Sequence, residues 1–398
     1  MIETKGQKAL IAPGQTIGIL GGGQLGRMTI LEGQKMGFRF VTMDPSSDCP
    51  GGQAAEKHIS APYDDLQAAS RLAEHSDLIL YEFENIDPSV VEFLETKAQV
   101  PQGSRLLRTA QHRLLEKTTL RNAGIPVADF VPVKTRNELN RALAQIGFPA
   151  VLKTATGGYD GKGQWMLRTK LDVDSLSCDL LDGRRPFILE AFIPFAKELS
   201  VIVARNKQGD LASFPPTVNL HRNHILHMSI VPAPLPEPIK AQATGLAERV
   251  AETLKVVGLI AVEMFLMKDG RLFVNELAPR PHNSGHYTYD ACATSQFEQF
   301  VRAALGLKLG PTHLFKPAVM VNILGEHANA FKQAFPSFPG HVKVHWYGKK
   351  EAKKGRKMGH VTVLADSVNQ ALEWIESVSI WPPLTKEEKK VIYDRDSF

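Results

Sequence analysis

With 398 residues, 43 % of them hydrophobic, the chain can bury two or three cores, because single cores stop growing well before this length. Its net charge of +5 is spread along the sequence apart from one basic cluster at 349–357, so it gives no argument for a nucleic-acid partner. No apolar run approaches the roughly 20 residues that span a bilayer, and the start MIETKGQKALIAPG lacks the apolar core of a secretion signal. Cys49, Cys178 and Cys292 are odd in number and far apart, which disfavours a disulfide framework or a CxxC metal site. A cytoplasmic multidomain protein with buried free thiols, attached to no membrane, is expected.

Residues 1–112 read as an α/β half-domain with a parallel sheet: TIGILGGGQLG runs into a glycine turn, RMTILEGQKMG is helical, and FRFVTMD and DLILYEF are strand-like. After QHRLLEKTTLRNAG, closed by Gly124 and Pro126, short strands restart with FVPV, PAVLKTA, QWMLRT and FILEAFI, which begins a second domain at residue 113 and extends it to 302. VPAPLPEPIK is a loop leading to a helix expected to end about Gly258. Residues 303–398 hold AVMVNILG, HVKVHWYG and HVTVLA as strands with a final helix, a small third domain.

The turn Gly21-Gly22-Gly23-Gln24-Leu25-Gly26 fits GxGxxG between strand and helix, and Asp44 ends the next strand where a dinucleotide fold places its ribose-binding acid. Taken alone this suggests a nicotinamide-dependent dehydrogenase. Glycines that admit a ligand and a helix N-terminus that attracts anions are general devices, however, so the turn marks a ligand without identifying it.

Lys153 lies in an apolar strand, where a buried ammonium needs an anionic partner. Five residues later Gly158-Tyr159-Asp160-Gly161-Lys162-Gly163-Gln164 forms a flexible hairpin suited to covering polyphosphate, with spacing unlike a Walker A sequence. A solvated hairpin is the alternative. In LIAVEMFLMKDGRLFVNELAPRPHNSGH, Asp269-Gly270 signals a two-residue hairpin turn that sets Glu263 opposite Glu276. Two carboxylates on one face of an apolar sheet repel unless a divalent cation joins them, and hard oxygen ligands select Mg²⁺. His221, His224 and His227 recur every three residues, but a strand sends neighbours at that spacing to opposite faces, so they are not read as a metal site.

Taken together, these segments and YEFENI, ILEAFIPFAKELS, NLHRNHIL, APRPHNSGHYT and YGKKEAKKGRKMGHVTVL resemble the ATP-grasp superfamily, and within it the N5-carboxyaminoimidazole ribonucleotide synthetases of purine biosynthesis, over nearly the whole chain. The resemblance implies an ATP-grasp fold with a Rossmann-like first domain, a central two-lobed domain holding ATP, and a small C-terminal domain. It implies ATP-dependent carboxylation of aminoimidazole ribonucleotide with bicarbonate, by a homodimer. The related formate-using glycinamide ribonucleotide transformylase is the nearest alternative, and a non-catalytic nucleotide-binding regulator is a further one.

Carried over by residue, Arg113 and Lys153 become phosphate contacts and Gly158 to Gln164 cover the triphosphate. Glu190, Ala191, Phe192 and Ile193 become the adenine-binding hinge, and Glu198 the acceptor for the ribose hydroxyls. His221 and Asn275 fall at ATP positions, and Glu263 and Glu276 at magnesium positions. Gln24, Leu25, Glu82, Asn283, Ser284, Lys349, Arg356 and Lys357 become ribonucleotide contacts. Arg280 and His282 fall beside the reacting bicarbonate, and Tyr159, Asp160 and Lys162 close over the carboxyphosphate. Two features depart from the family: about 14 extra residues precede the first strand, and Glu351-Ala352-Lys353-Lys354-Gly355 carries lysine where relatives often have Arg or Pro.

The run from Lys349 to Lys357 can also be read as a solvated face. It is long for a hairpin connection, and Gly355 would let it bend around an anion, so Lys349 and Arg356 are expected to hold the ribonucleotide 5′-phosphate.

Overall fold

The apolar runs read from the sequence pair as strands of three sheets in a computed structural model that describes residues 12–158 and 162–393. The first is all parallel, in the order Lys57–Ser60, Arg39–Asp44, Thr16–Leu20, Leu78–Tyr81. Thr16–Leu20 and Leu78–Tyr81 are almost wholly buried, as is the middle of Arg39–Asp44, as expected when helices cover both faces. The helix Gln24–Lys35 follows the glycine turn, and Leu66–Glu74 starts where the Asp65 side chain accepts from the N–H groups of Gln67 and Ala68.

The helix Arg113–Asn122 leads into the second sheet, which is antiparallel in the order Phe130–Thr135, Asp182–Ala191, Ala150–Thr154, Gln164–Leu167. The glycine-rich hairpin joins the last two strands, and Lys153 is opposite Gln164. The third sheet runs Leu272–Ala278, Gly258–Met267, Phe195–Arg205, Thr217–Arg222, Ile225–Val231, Ala318–Leu324, Lys357–Leu364, Val342–Trp346, with Leu211–Ser213 beside Phe195–Arg205.

One expectation changes. The helix after the proline-rich loop is Glu237–Thr253, shorter than predicted, because Lys255 at φ +52° and Gly258 at φ +117° turn the chain into the next strand. The third region holds the three expected strands, and they extend the third sheet. Ala318–Leu324 pairs with Ile225–Val231, and Met228 and Ile230 share a core with Val319, Val321 and Ile323. The segment after Val368–Ser377 is tied to this core by the Trp381 indole, which donates to the Asn322 carbonyl over 2.9 Å.

Candidate active site

One cleft of about 900 Å³ lies where the three sheets meet, lined by Gly23, Gln24, Leu25 and Glu82 from the first, Lys153 and Gly163 from the second, and Glu198, His221 and Glu263 from the third. Arg113, Gly158, Lys162, Gln164, Glu190, Ala191, Phe192, Ile193, Asn275, Glu276, Arg280, His282, Asn283 and Lys357 also line it. Tyr159, Asp160 and Gly161 lie outside the described residues.

The glycine turn is closed to a dinucleotide pyrophosphate. Both carboxylate oxygens of Glu82 accept from the helix-start N–H groups of Gly23 and Gly26, so the anion at this N-terminus is a side chain of the protein itself. Asp44 is equally engaged, with Oδ2 accepting from Gly22 N–H at 2.9 Å and from the Tyr63 hydroxyl at 2.5 Å. Burial raises the Glu82 carboxyl to about 7 although the two N–H groups pull it down.

The carboxylate pair is present, reached by a route the sequence did not show. The turn holds three residues, Lys268 to Gly270, with Met267 N–H donating to Arg271 O at 2.9 Å and Gly270 at φ +83°. Near the turn Leu266 therefore faces Leu272 and Met264 faces Val274. A β-bulge then leaves Asn275 without a facing partner and restores Glu263 opposite Glu276. Because of the bulge, the consecutive side chains Asn275 and Glu276 both line the cleft, where strict alternation would have divided them between faces.

Each carboxylate has a nitrogen neighbour: the Arg113 guanidinium, with Nη1 3.3 Å from Glu276, and the imidazole of His282, kept neutral by burial, with Nε2 3.3 Å from Glu263. Burial first, then the charge of Glu276, raises the Glu263 carboxyl to about 7. Two crowded carboxylates of which one resists ionisation suit a hard divalent cation, with its other positions open to phosphate and water.

Beneath the pair lies a lysine that pattern reading passed over. Lys117 is buried, donates to the carbonyls of Asn275 at 2.9 Å and Val274 at 3.4 Å, and lies 3.7 Å from Glu190. Glu190 also holds Lys153 at 2.8 Å. Burial would raise the Glu190 carboxyl, but Lys117 and Lys153 hold it at about 2. Its Oε2 is thus committed to the lysines, and the partner that Lys153 was expected to need is this carboxylate.

Phe195 and Phe265 stack at 4.5 Å and 5°, and with Val151, Met166 and Phe273 give the cleft flat apolar walls. Glu198 Oε2 lies 3.0 Å from His221 Nδ1. His221 and His224 both line the cleft because Asn223 and His224, at φ +50° and +64°, form the turn between two strands. His227 is buried away from it.

Arg280 is gripped through two nitrogens by Glu84, with Nη2 to Oε1 at 2.8 Å, a partner the sequence reading did not identify. Asn283 is buried to 8 % exposure, and neither end of its amide has a partner among the described residues. Ser284 does not reach the cleft surface. It is fully buried, accepting from the Ser200 hydroxyl at 2.7 Å and lying 2.8 Å from His282 Nδ1, so it supports His282 from behind. Lys349 and Arg356 lie off the main cleft, Lys349 donating to Lys357 O at 2.8 Å and Arg356 to Glu351 O at 3.2 Å. Burial first, then Arg356 and Lys357, lowers the Lys349 ammonium to about 8. Cys49 and Cys292 are buried free thiols, as expected.

Residues 118–297 match the ATP-grasp domain, 14–111 the ribonucleotide synthetase preATP-grasp domain, and 318–373 the phosphoribosylaminoimidazole carboxylase C-terminal domain. The chain is 48 % identical to the N5-carboxyaminoimidazole ribonucleotide synthase of Bacillus subtilis (strain 168), over 94 % of this chain and 96 % of that one. The crystal structure of an ADP complex of N5-carboxyaminoimidazole ribonucleotide synthetase superposes with TM-score 0.90 at 50 % identity, covering 94 % of this chain and 98 % of the other. That of the Aspergillus clavatus N5-carboxyaminoimidazole synthase with ADP and 5-aminoimidazole ribonucleotide gives 0.84 at 31 %, covering 92 % and 97 %. At these identities and coverages the chain belongs to the N5-carboxyaminoimidazole ribonucleotide synthase family of ATP-grasp ligases.

Proposed function

We propose that this protein carboxylates 5-aminoimidazole ribonucleotide, using ATP and bicarbonate and releasing ADP and phosphate with N5-carboxyaminoimidazole ribonucleotide. The observation that carries the reading is that one cleft is lined both by the Glu263–Glu276 pair and by the residues around the glycine turn, so a nucleotide site and a second substrate site share one wall. The Aspergillus relative was crystallised with ADP and 5-aminoimidazole ribonucleotide together, which favours this reading over formate-dependent transformylation.

ATP occupies the groove walled by Phe195, Phe265 and the hinge Glu190 to Ile193, with Glu198 accepting from the ribose hydroxyls. Arg113, Lys153 and Lys162 neutralise its phosphates under the glycine-rich hairpin, with Gly158, Gly163 and Gln164 along its edge. Glu263 and Glu276 hold magnesium, which when bound neutralises phosphate charge. Bicarbonate is a poor electrophile until a phosphoryl group converts one of its oxygens to a leaving group, giving carboxyphosphate. Arg280, fixed by Glu84, and His282, backed by Ser284, orient that anion, and the exocyclic amine of the ribonucleotide attacks it or the CO₂ it releases. The chain thus contributes orientation and charge neutralisation, with no covalent nucleophile. Tyr159 and Asp160 belong to the lid over this intermediate. Gln24, Leu25, Glu82, Asn283 and Lys357 receive the ribonucleotide, and Lys349 and Arg356 its 5′-phosphate. The enzyme works in the cytoplasm, as its sequence suggests, and as a homodimer, a reading taken from the family resemblance. Among the described residues no helix is long and apolar enough to cross a membrane.

Glu276→Gln tests the metal assignment. Turnover at low magnesium is expected to fall by roughly two powers of ten or more, with thermal stability retained. Near-wild-type turnover would remove it. Magnesium-ATP is expected to raise the melting temperature and NAD(P) at equal concentration to leave it unchanged, whereas the reverse would restore the dehydrogenase reading.

A further inference from the structure

The turn Asn283–Gly285 ends at His286, to which neither the motifs nor the mechanism above gives a role. Its ring is nearly inaccessible to bulk solvent yet forms part of the cleft wall. The neighbouring Gln296 fixes its protonation. Gln296 Oε1 accepts from the His282 N–H at 2.9 Å, and its Nε2 donates to the His282 carbonyl at 2.8 Å. Those two backbone bonds determine which end of the amide is oxygen. The NH₂ end therefore faces His286 Nδ1 at 3.0 Å, and Nδ1 has to accept.

A neutral ring that accepts at Nδ1 carries its proton on Nε2. Neutrality follows from burial first, then from the neighbouring imidazoles of His282 and His345 and the cations Lys357 and Arg280, all of which disfavour an added charge. The ring cannot swing away, because His360 packs on it at 4.8 Å between centroids and Phe297 at 5.6 Å. Nε2 bonds no described residue. Asn283, whose backbone carbonyl accepts the His286 N–H at 3.1 Å, also lines the cleft with a side-chain amide that has no partner among the described residues. A rigid, uncharged N–H donor thus borders a site whose other donors are mostly cations.

We propose that His286 is a specificity-determining residue that donates from Nε2 to the unprotonated ring nitrogen of the aminoimidazole, an assignment that rests on the carboxylase reading. A cation would suit phosphate or bicarbonate better, whereas a neutral donor matches a neutral nitrogen lone pair. The match has a chemical consequence. Protonation at that nitrogen removes the lone pair and draws electron density from the exocyclic amine, which lowers its nucleophilicity. A donor that cannot itself lose its proton at working pH binds only the unprotonated ring, and so selects the form able to attack.

The test uses the full chain with His286→Phe, which fills the ring's space without a donor, and His286→Gln, whose amide reaches the position of Nε2. His286→Phe is expected to raise the KM for the ribonucleotide by up to roughly tenfold, with kcat and the KM for ATP within about twofold of wild type, and His286→Gln to recover most of the loss. An equal rise in both KM values, or the same loss in both variants together with a lower melting temperature, would assign the ring to packing and overturn the proposal. A pair of competitive inhibitors identifies the acceptor: the imidazole ribonucleotide and its pyrrole counterpart, with C–H in place of the ring nitrogen. Wild type is expected to bind the imidazole more tightly, and His286→Phe to bind both alike. Equal affinity in wild type overturns the proposal even where the Phe variant fails to fold. Absence of carboxylated product from wild type would instead strike the carboxylase reading, so the two failures are distinguishable.

Discussion

Glu82 shows how one side chain decides between two readings of a motif. The glycine turn looks like an anion site, and it is one, but Glu82 fills it through the N–H groups of Gly23 and Gly26. Glutamine there would offer an NH₂ to one of two donors, leaving a buried N–H unpaired at a cost of about 1–3 kcal/mol. Chemical denaturation of Glu82→Gln is expected to register that loss, and unchanged stability would mean the turn has other partners. The same carboxyl predicts a pH effect. Its value rises from 4.5 to about 7 on folding, so the folded state holds its proton to higher pH than the unfolded chain does. The resulting cost is absent below 4.5, grows as pH rises, and is complete above about 7. In ligand-free protein, the stability of wild type relative to Glu82→Gln is therefore expected to decline across that window. A flat difference between the two curves would contradict the burial argument.

The hairpin Gly258–Met267 with Leu272–Ala278 marks what a sequence can and cannot convey about an element. Its strands were legible from hydrophobic runs, but the two-residue turn read from Asp269-Gly270 has three residues, and Glu263 faces Glu276 only because the bulge makes up the one-residue difference. The bulge was not legible, because nothing in the local pattern around Asn275 distinguishes it from regular strand. What accompanies it comes from far away in sequence: the Lys117 ammonium gathers the carbonyls of Val274 and Asn275, and Glu190 balances its charge. Lys117 was hidden for the same reason, since within QHRLLEK it looks like any polar helix residue. Lys117→Met is expected to release the bulge and to raise the magnesium concentration needed for the ATP-induced rise in melting temperature by roughly tenfold or more, a binding readout independent of turnover. A lower melting temperature with unchanged magnesium dependence would confine Lys117 to a packing role.

At the scale of the molecule, the first sheet could be read almost strand by strand, since buried parallel strands appear as continuous apolar runs. The union of the C-terminal region with the third sheet could not, because strand order is set by long-range pairing that single-sequence patterns do not encode. The union has a consequence. A chain ending at Leu309 would expose the edge of Ile225–Val231 and the side chains of Met228 and Ile230, so it is expected to aggregate. A soluble product that unfolds cooperatively would show that the central region is independent. The same architecture brings residues from 23 to 357 into one cleft, and the central claim is that they join carbon to nitrogen there. Its most direct test is to supply ATP, magnesium, ¹⁸O-labelled bicarbonate and 5-aminoimidazole ribonucleotide and to weigh the products. The account predicts a ribonucleotide heavier by one carboxyl group, formed in step with ADP, and label from bicarbonate in the released phosphate. ADP formation that does not require the ribonucleotide, phosphate without label, or a formylated product that appears only with formate would contradict it.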